Sequence, residues 1–185
     1  MRYASIRSLD ISNGEGVGVS LFVQGCDRHC FNCFNSETWD FNGGKEWTEE
    51  TKNKFMELIG RPYIKRISIL GGEPLAEQNL DEVLSLIKEI RISFPEKTIW
   101  LYTGFEWNSL MAKIYQPTFP DEKFEHDRNI HMKRQKIISN VDILIDGEYI
   151  DEQKDLSLKF RGSKNQRVID VKQSLAQNKI VLYCD

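Results

Sequence analysis

No stretch of the chain approaches the roughly 18 consecutive apolar residues that a membrane-spanning helix needs, which leaves a water-exposed fold as the expectation. The first residues (Met1-Arg2-Tyr3-Ala4-Ser5-Ile6) carry no apolar stretch of the signal-peptide kind, so the cytoplasm is the expected compartment. Excess positive charge is missing too: the formal net charge is −3, which argues against nucleic acid as a principal partner. No internal repeat and no low-complexity tract interrupts the 185 residues, a length that suits one domain spanning 1–185. Cysteine is scarce. There are four, and three fall within eight residues as Cys26, Cys30 and Cys33, a spacing that suits a shared ligand better than a disulfide framework.

Apolar, β-branched runs alternate with helical patterns. Strands are expected at residues 19–23, 66–70, 98–102 and 141–145, with a further one at 180–183. Thr48 can cap a helix that Gly60 ends, and Glu49 and Glu50 suit its first turn. A clearer helix starts at Asn79, with Glu82 forming a capping-box-like pair and Pro95 beyond its end. A shorter helix is expected over 107–115. Strand–helix–strand alternation predicts an α/β fold with a mostly parallel sheet and right-handed crossovers. Residues 116–135 mix Pro117 and Pro120 with many charges and read as a surface insertion, a solvated loop or a partner-docking one.

Ligands of such folds sit at the carboxyl ends of strands. The cysteine loop follows the first of these strands, Gly71-Gly72-Glu73-Pro74 the second, Thr103-Gly104 the third and Asp146-Gly147 the fourth. Every unusual segment therefore falls on one edge. Thiolates are the usual ligands of iron–sulfur clusters, and a cube of four irons normally takes four. Three on one short loop suggest a cluster with one open iron. Structural zinc is the competing reading, with His29 as a possible fourth ligand, although four ligands from one eight-residue loop would be cramped. Cys184 reads as a plain thiol, and Trp39, Trp47 and Trp107 as packing residues.

The cysteine loop together with the Gly71–Pro74 turn resembles the radical S-adenosylmethionine enzymes. Within them the chain is similar to the activating proteins of anaerobic ribonucleoside-triphosphate reductases. The likeness covers residues 13–16, 20–26, 33–40, 102–105, 142–147 and 160–170. Its most specific segments are Cys33-Phe34-Asn35-Ser36-Glu37-Thr38-Trp39 and Arg161-Gly162-Ser163-Lys164-Asn165-Gln166-Arg167.

The resemblance implies a partial, open barrel of the radical S-adenosylmethionine type, too short for the full eight-stranded form of about 250 residues. It implies one 4Fe–4S cluster on Cys26, Cys30 and Cys33, with S-adenosylmethionine chelating the fourth iron. Reductive cleavage would give a 5′-deoxyadenosyl radical that abstracts hydrogen from a glycine of the reductase large subunit. Gly71, Gly72 and Glu73 would line the methionine end of the cofactor, with Pro74, Asn32, Phe34, Thr103 and Asp146 as further contacts. No side chain is expected to act as acid or base. A reduced flavodoxin-type donor and a homodimer are the implied partners.

Two departures stand out: Gly18 occupies a place where the family often has arginine, and Asn32 precedes the third cysteine where an aromatic is frequent. The alternatives are a compact small-molecule radical enzyme of the 7-carboxy-7-deazaguanine synthase kind and a zinc-stabilised binding module.

Overall fold

The computed structural model describes residues 1–114 and 118–184. Among them the strands are β1 (Arg2–Asp10), β2 (Gly18–Val23), β3 (Lys45–Glu46), β4 (Arg66–Gly71), β5 (Thr98–Tyr102), β6 (Ile143–Asp146), β7 (Arg167–Asp170) and β8 (Leu182–Cys184). The helices are α1 (Glu49–Ile59), α2 (Leu80–Ser93), α3 (Trp107–Leu110), α4 (Glu122–Ile138) and α5 (Val171–Gln177). None of the helices is long and apolar enough to cross a membrane.

All eight strands form one sheet in the order β3-β1-β2-β4-β5-β6-β7-β8. The centre, β2-β4-β5-β6, is parallel. The pairs β3-β1, β1-β2, β6-β7 and β7-β8 are antiparallel. The expectation of a mostly parallel sheet is thus corrected to a mixed one, with four antiparallel pairings against three parallel. The reason lies in strands that periodicity hides. β1 carries Arg2, Ser5, Arg7 and Ser8 and is half-exposed or exposed along all but its last residue, and β7 sits inside a polar motif segment. Neither looks like a buried parallel strand, and antiparallel neighbours need no helical crossover.

Successive residues of a strand face opposite ways, and the central strands use both faces. Val19, Leu21, Ile67, Ile69, Ile99 and Leu101 face the helices and make the main core with Phe55, Ile59, Val83, Ile87 and Ile138. Each fully buried side chain of this kind contributes about 1.5–3 kcal/mol. Trp100, Ile143, Ile145 and Val168 form a smaller cluster on the other face, joined by Tyr102, Phe160 and Cys184. That second face carries the functional end of the molecule.

Thr48 caps α1 by accepting the Thr51 N–H at 3.2 Å, and Gly60 closes it, as its sequence suggests. Asn79 precedes α2 but forms no side-chain cap. The shorter predicted helix is only one turn, α3, and Tyr115 lies outside the described residues. The segment 116–135 is corrected as well. Gln116 and Pro117 lie outside the described residues, but Asp121 accepts the Phe124 N–H at 2.7 Å and starts the helix α4. Dense charge masks its narrow apolar stripe. α4 docks beside α2 through the Lys133–Asp81 pair at 2.7 Å and ends on buried Ile137 and Ile138.

Under the turn between β1 and β2 lies a fully buried arginine. Arg66 donates to Asn13 O at 2.5 Å, to Asp10 O at 2.7 Å and to Asp10 Oδ1 at 3.1 Å. A Cβ on Gly18, its register partner on β2, would stand 2.7 Å from the Arg66 Cζ. The guanidinium absent from position 18 is therefore matched by one that reaches over it from the next strand. Burial pushes the Asp10 carboxyl up, but hydrogen bonds from Asn13, Ser12 and Arg66 bring its pKa down to about 2. Asp10→Ala should cost about 3–5 kcal/mol in urea unfolding, because it strands a buried guanidinium without its counter-ion. A carboxyl depressed in the folded state stabilises above its unfolded pKa of about 3.9 and loses that contribution as pH falls. Acid unfolding of the native chain between about pH 4 and 2 should accordingly be steeper than that of the variant.

Candidate functional site

The β2 and β4 strand ends are joined before either loop begins. Gly72 N–H donates to Val23 O at 2.9 Å and Glu73 N–H to Gly25 O at 2.8 Å. Gly71 stands at φ +104°, a conformation reserved for glycine, and a Cβ there would meet the Phe22 Cα at 2.8 Å. On Gly72 a Cβ would run into the Gly25 carbonyl. The glycine pair thus lets two backbones touch. Asn79, free of any capping duty, donates its Nδ2 to Gln24 O and Glu73 O, each at 3.0 Å, and locks the same junction from below.

The cysteine loop leaves from this junction and returns alongside it. Gly25 N–H donates to Thr38 O at 2.8 Å and Cys26 N–H to Trp39 O at 3.0 Å, which closes the loop at its root. His29 and Asn32 take left-handed backbone conformations at φ +48° and +54°, and these two bends fold the loop so that its cysteines line one cavity. The His29 ring stacks on Trp39 with centroids 4.6 Å apart instead of joining the thiols. Cys33 receives an N–H···S hydrogen bond from Asn35 at 3.4 Å. Burial pushes the Cys26 and Cys30 thiols above their ordinary range. All three cysteines are free and partly buried.

The cavity has a volume of about 510 Å³. Its floor is the second face of the sheet, with Phe22, Leu70, Tyr102 and Ile145. Gly71, Gly72, Glu73, Thr103 and Phe34 of the predicted site line it alongside Cys26, Cys30 and Cys33. Asn32, Pro74 and Asp146 are not among its lining residues. Asn32 is turned outward and donates to Asp151 Oδ2 at 2.9 Å, an anchor that suits Asn at a left-handed position better than an aromatic. Asp146 is buried and occupied: Arg167 Nε reaches Oδ1 at 3.0 Å, and Arg167 Nη2 and the Trp107 N–H reach Oδ2 at 2.5 and 2.7 Å. Its part is to hold the loop after β6.

Glu73 faces the cavity but its carboxylate is already engaged. Oε1 accepts from Leu75 N–H at 2.9 Å and Thr103 Oγ1 at 2.8 Å, and Oε2 from Gly104 N–H at 2.8 Å. Arg28, between the first two cysteines, approaches Oε2 at 3.6 Å, pairs with Glu148 and lies over the Phe105 ring at 4.0 Å. Burial raises the Glu73 pKa while these donors pull against it. One carboxylate therefore ties together the ends of β4 and β5 and the cysteine loop. Arg28 had a sequence signal in its place inside the loop. The strap formed by residues 148–166 had only its motif; Tyr149, which packs on Phe34 at 5.1 Å, and Asp151 were not foreseen.

The donor set suits a cluster. Three thiols line one cavity, the ligand type that iron–sulfur clusters take. The 510 Å³ space beside them falls in the range of small-molecule sites.

Comparison with known proteins agrees. A family described as a 4Fe-4S single cluster domain matches residues 12–169. The chain is 34% identical over 170 residues to the anaerobic ribonucleoside-triphosphate reductase-activating protein of Escherichia coli (strain K12), covering 91% of this chain and 97% of that one. The protein of the same name from Salmonella typhi is 34% identical with the same coverage. That of Enterobacteria phage T4 is 35% identical over 170 residues, covering 91% of this chain and 93% of its own.

Glu73→Gln puts an amide N–H₂ where only donors face it. The substitution should lower stability by about 1–3 kcal/mol in urea unfolding. Asn32→Gly, which removes the exposed anchor but keeps the left-handed backbone at ease, should cost well under 1 kcal/mol, and Asn32→Ala about 1 kcal/mol more.

Proposed function

The chain belongs to the family of anaerobic ribonucleoside-triphosphate reductase-activating proteins, and on that premise we propose that it is itself such an activase. Its reaction would be reductive cleavage of S-adenosylmethionine at a 4Fe–4S cluster, generating a glycyl radical on the large subunit of the reductase. The observation that carries this reading is the meeting of Cys26, Cys30 and Cys33 with the Gly71–Glu73 turn in one cavity.

In this reading the thiolates of Cys26, Cys30 and Cys33 would hold the cluster. When bound, the cluster supplies the single electron that the cleavage requires. Every other task falls to the chain. The bare backbone of Gly71 and Gly72 permits close approach of the amino-acid end of the cofactor. Glu73 positions that turn through its bonds to Leu75, Thr103 and Gly104. Phe34 and Thr103 complete the walls, whereas Asn32, Pro74 and Asp146 act as supports.

We further propose that the sheet curls into a partial, open barrel of the radical S-adenosylmethionine type, whose end strands β3 and β8 pair only inward. A flank left unclosed admits a protein substrate. A reduced flavodoxin-type donor, a homodimer and a cytoplasmic, thiol-reducing setting belong to the same proposal.

The test is anaerobic. Protein reconstituted with iron and sulfide is reduced and mixed with S-adenosylmethionine and the reductase large subunit. A glycyl-radical doublet in the EPR spectrum is the expected outcome, with 5′-deoxyadenosine formed alongside. Deoxyadenosine without the doublet would move the substrate elsewhere, and stoichiometric zinc without iron would sink the cluster. Cys30→Ala should lower bound iron and sulfide and abolish deoxyadenosine formation.

A further inference from the structure

Three side chains of the polar motif over residues 161–167 converge on the segment that leaves β6. Gln166 Oε1 accepts the Gly162 N–H at 2.9 Å and the Ser163 N–H at 3.2 Å, while its Nε2 donates to Gly147 O at 3.0 Å. Asn165 Nδ2 donates to Glu148 O at 2.8 Å. The fully buried Ser163 hydroxyl accepts the Ile150 N–H at 3.2 Å. The motif thus frames the backbone of residues 147, 148 and 150.

That framed segment grips the cysteine loop. Glu148 pairs with Arg28, Asp151 Oδ2 accepts from Asn32 Nδ2 at 2.9 Å, and the Tyr149 ring packs on Phe34 at 5.1 Å. The Tyr149 hydroxyl donates to Asp151 Oδ1 at 2.6 Å, which joins two of the grips. Gly162 closes on the same Phe34 ring, where a Cβ would stand 2.9 Å away. Arg28 lies between the first two cysteines, and Asn32 and Phe34 flank the third.

The loop has little else to shape it. Among the described residues, the backbone of 27–34 makes a single backbone–backbone hydrogen bond, Cys33 N–H to Cys30 O at 3.1 Å. The His29 stack on Trp39 and the approach of Arg28 to Glu73 steady its first half. Its second half is held from the strap. Exposed polar contacts are each worth little, so they fix a loop only when the backbone that presents them is already rigid.

We propose that Gln166, with Asn165 and Ser163, is a positioning residue for the thiols: it rigidifies the 147–151 backbone, whose side chains hold the cysteine loop in its cluster-binding shape. The inference rests on the cluster reading above for what the thiols hold.

Hydrogen exchange on full-length, iron-free protein and iron release from reconstituted protein to an excess of chelator test it together. Gln166→Ala should speed exchange in 27–34 about tenfold or more while β2 and β4 exchange as in native protein. Iron loss should accelerate in parallel, and the EPR signal of the reduced cluster should broaden. Gln166→Glu, which keeps the acceptor and loses the donor, should fall between the two. The double variant Glu148→Ala/Asp151→Ala leaves the frame intact; it should speed exchange in 27–34 and iron loss, with native exchange over 161–166. This variant decides the matter if Gln166→Ala does not fold. Native exchange in 27–34 and native iron loss in folded variants would overturn the proposal, as would faster exchange confined to 161–166. Native protein that takes up no iron would count against the cluster reading, and the exchange measurements would still decide the role of Gln166.

Discussion

Two backbone hydrogen bonds, Gly72 N–H to Val23 O and Glu73 N–H to Gly25 O, are the constraint on which the site depends. They form only because positions 71 and 72 carry no side chain, so the ends of β2 and β4 come within direct contact. From that contact the cysteine loop acquires a fixed origin. The Glu73 carboxylate then carries the constraint sideways to Thr103 and Gly104, at the end of β5, and back to Arg28 in the loop. Three strand ends are thereby tied to one another.

The same economy runs through the supports. Asn79 serves the junction of Gln24 and Glu73 where a helix cap was expected, while Asp146 spends both oxygens on Arg167 and Trp107. Side chains that look like ligands in sequence can be wholly consumed in holding the frame. Gln166 is a further case, a motif residue bonded to Gly147, Gly162 and Ser163.

Much of this was legible beforehand. β2, β4, β5 and α1 fall within a residue or so of their expected bounds, because each is a short apolar run or a capped amphipathic helix. The polar strands β1 and β7, outside the parallel centre, and the charged helix α4 were not, since their periodicity is blurred by residues that solvent tolerates. Of the candidate contacts, Gly71, Gly72, Glu73, Thr103 and Phe34 reach the cavity, and Pro74 and Asp146 do not. Asn32 does not, because a left-handed backbone turns it outward to Asp151.

Sequence by itself determined the three-thiol loop, the glycine turn, their common edge and the family, because ligand chemistry and glycine's backbone freedom are local properties carried by residue type. Tertiary structure alone decided which side chains face the cavity and which are spent behind it. It also decided that Arg66 stands over Gly18, and that Gln166 is spent on Gly147 and Gly162. Such assignments arise from pairings between residues far apart in the chain, where register and burial settle which polar atoms find partners.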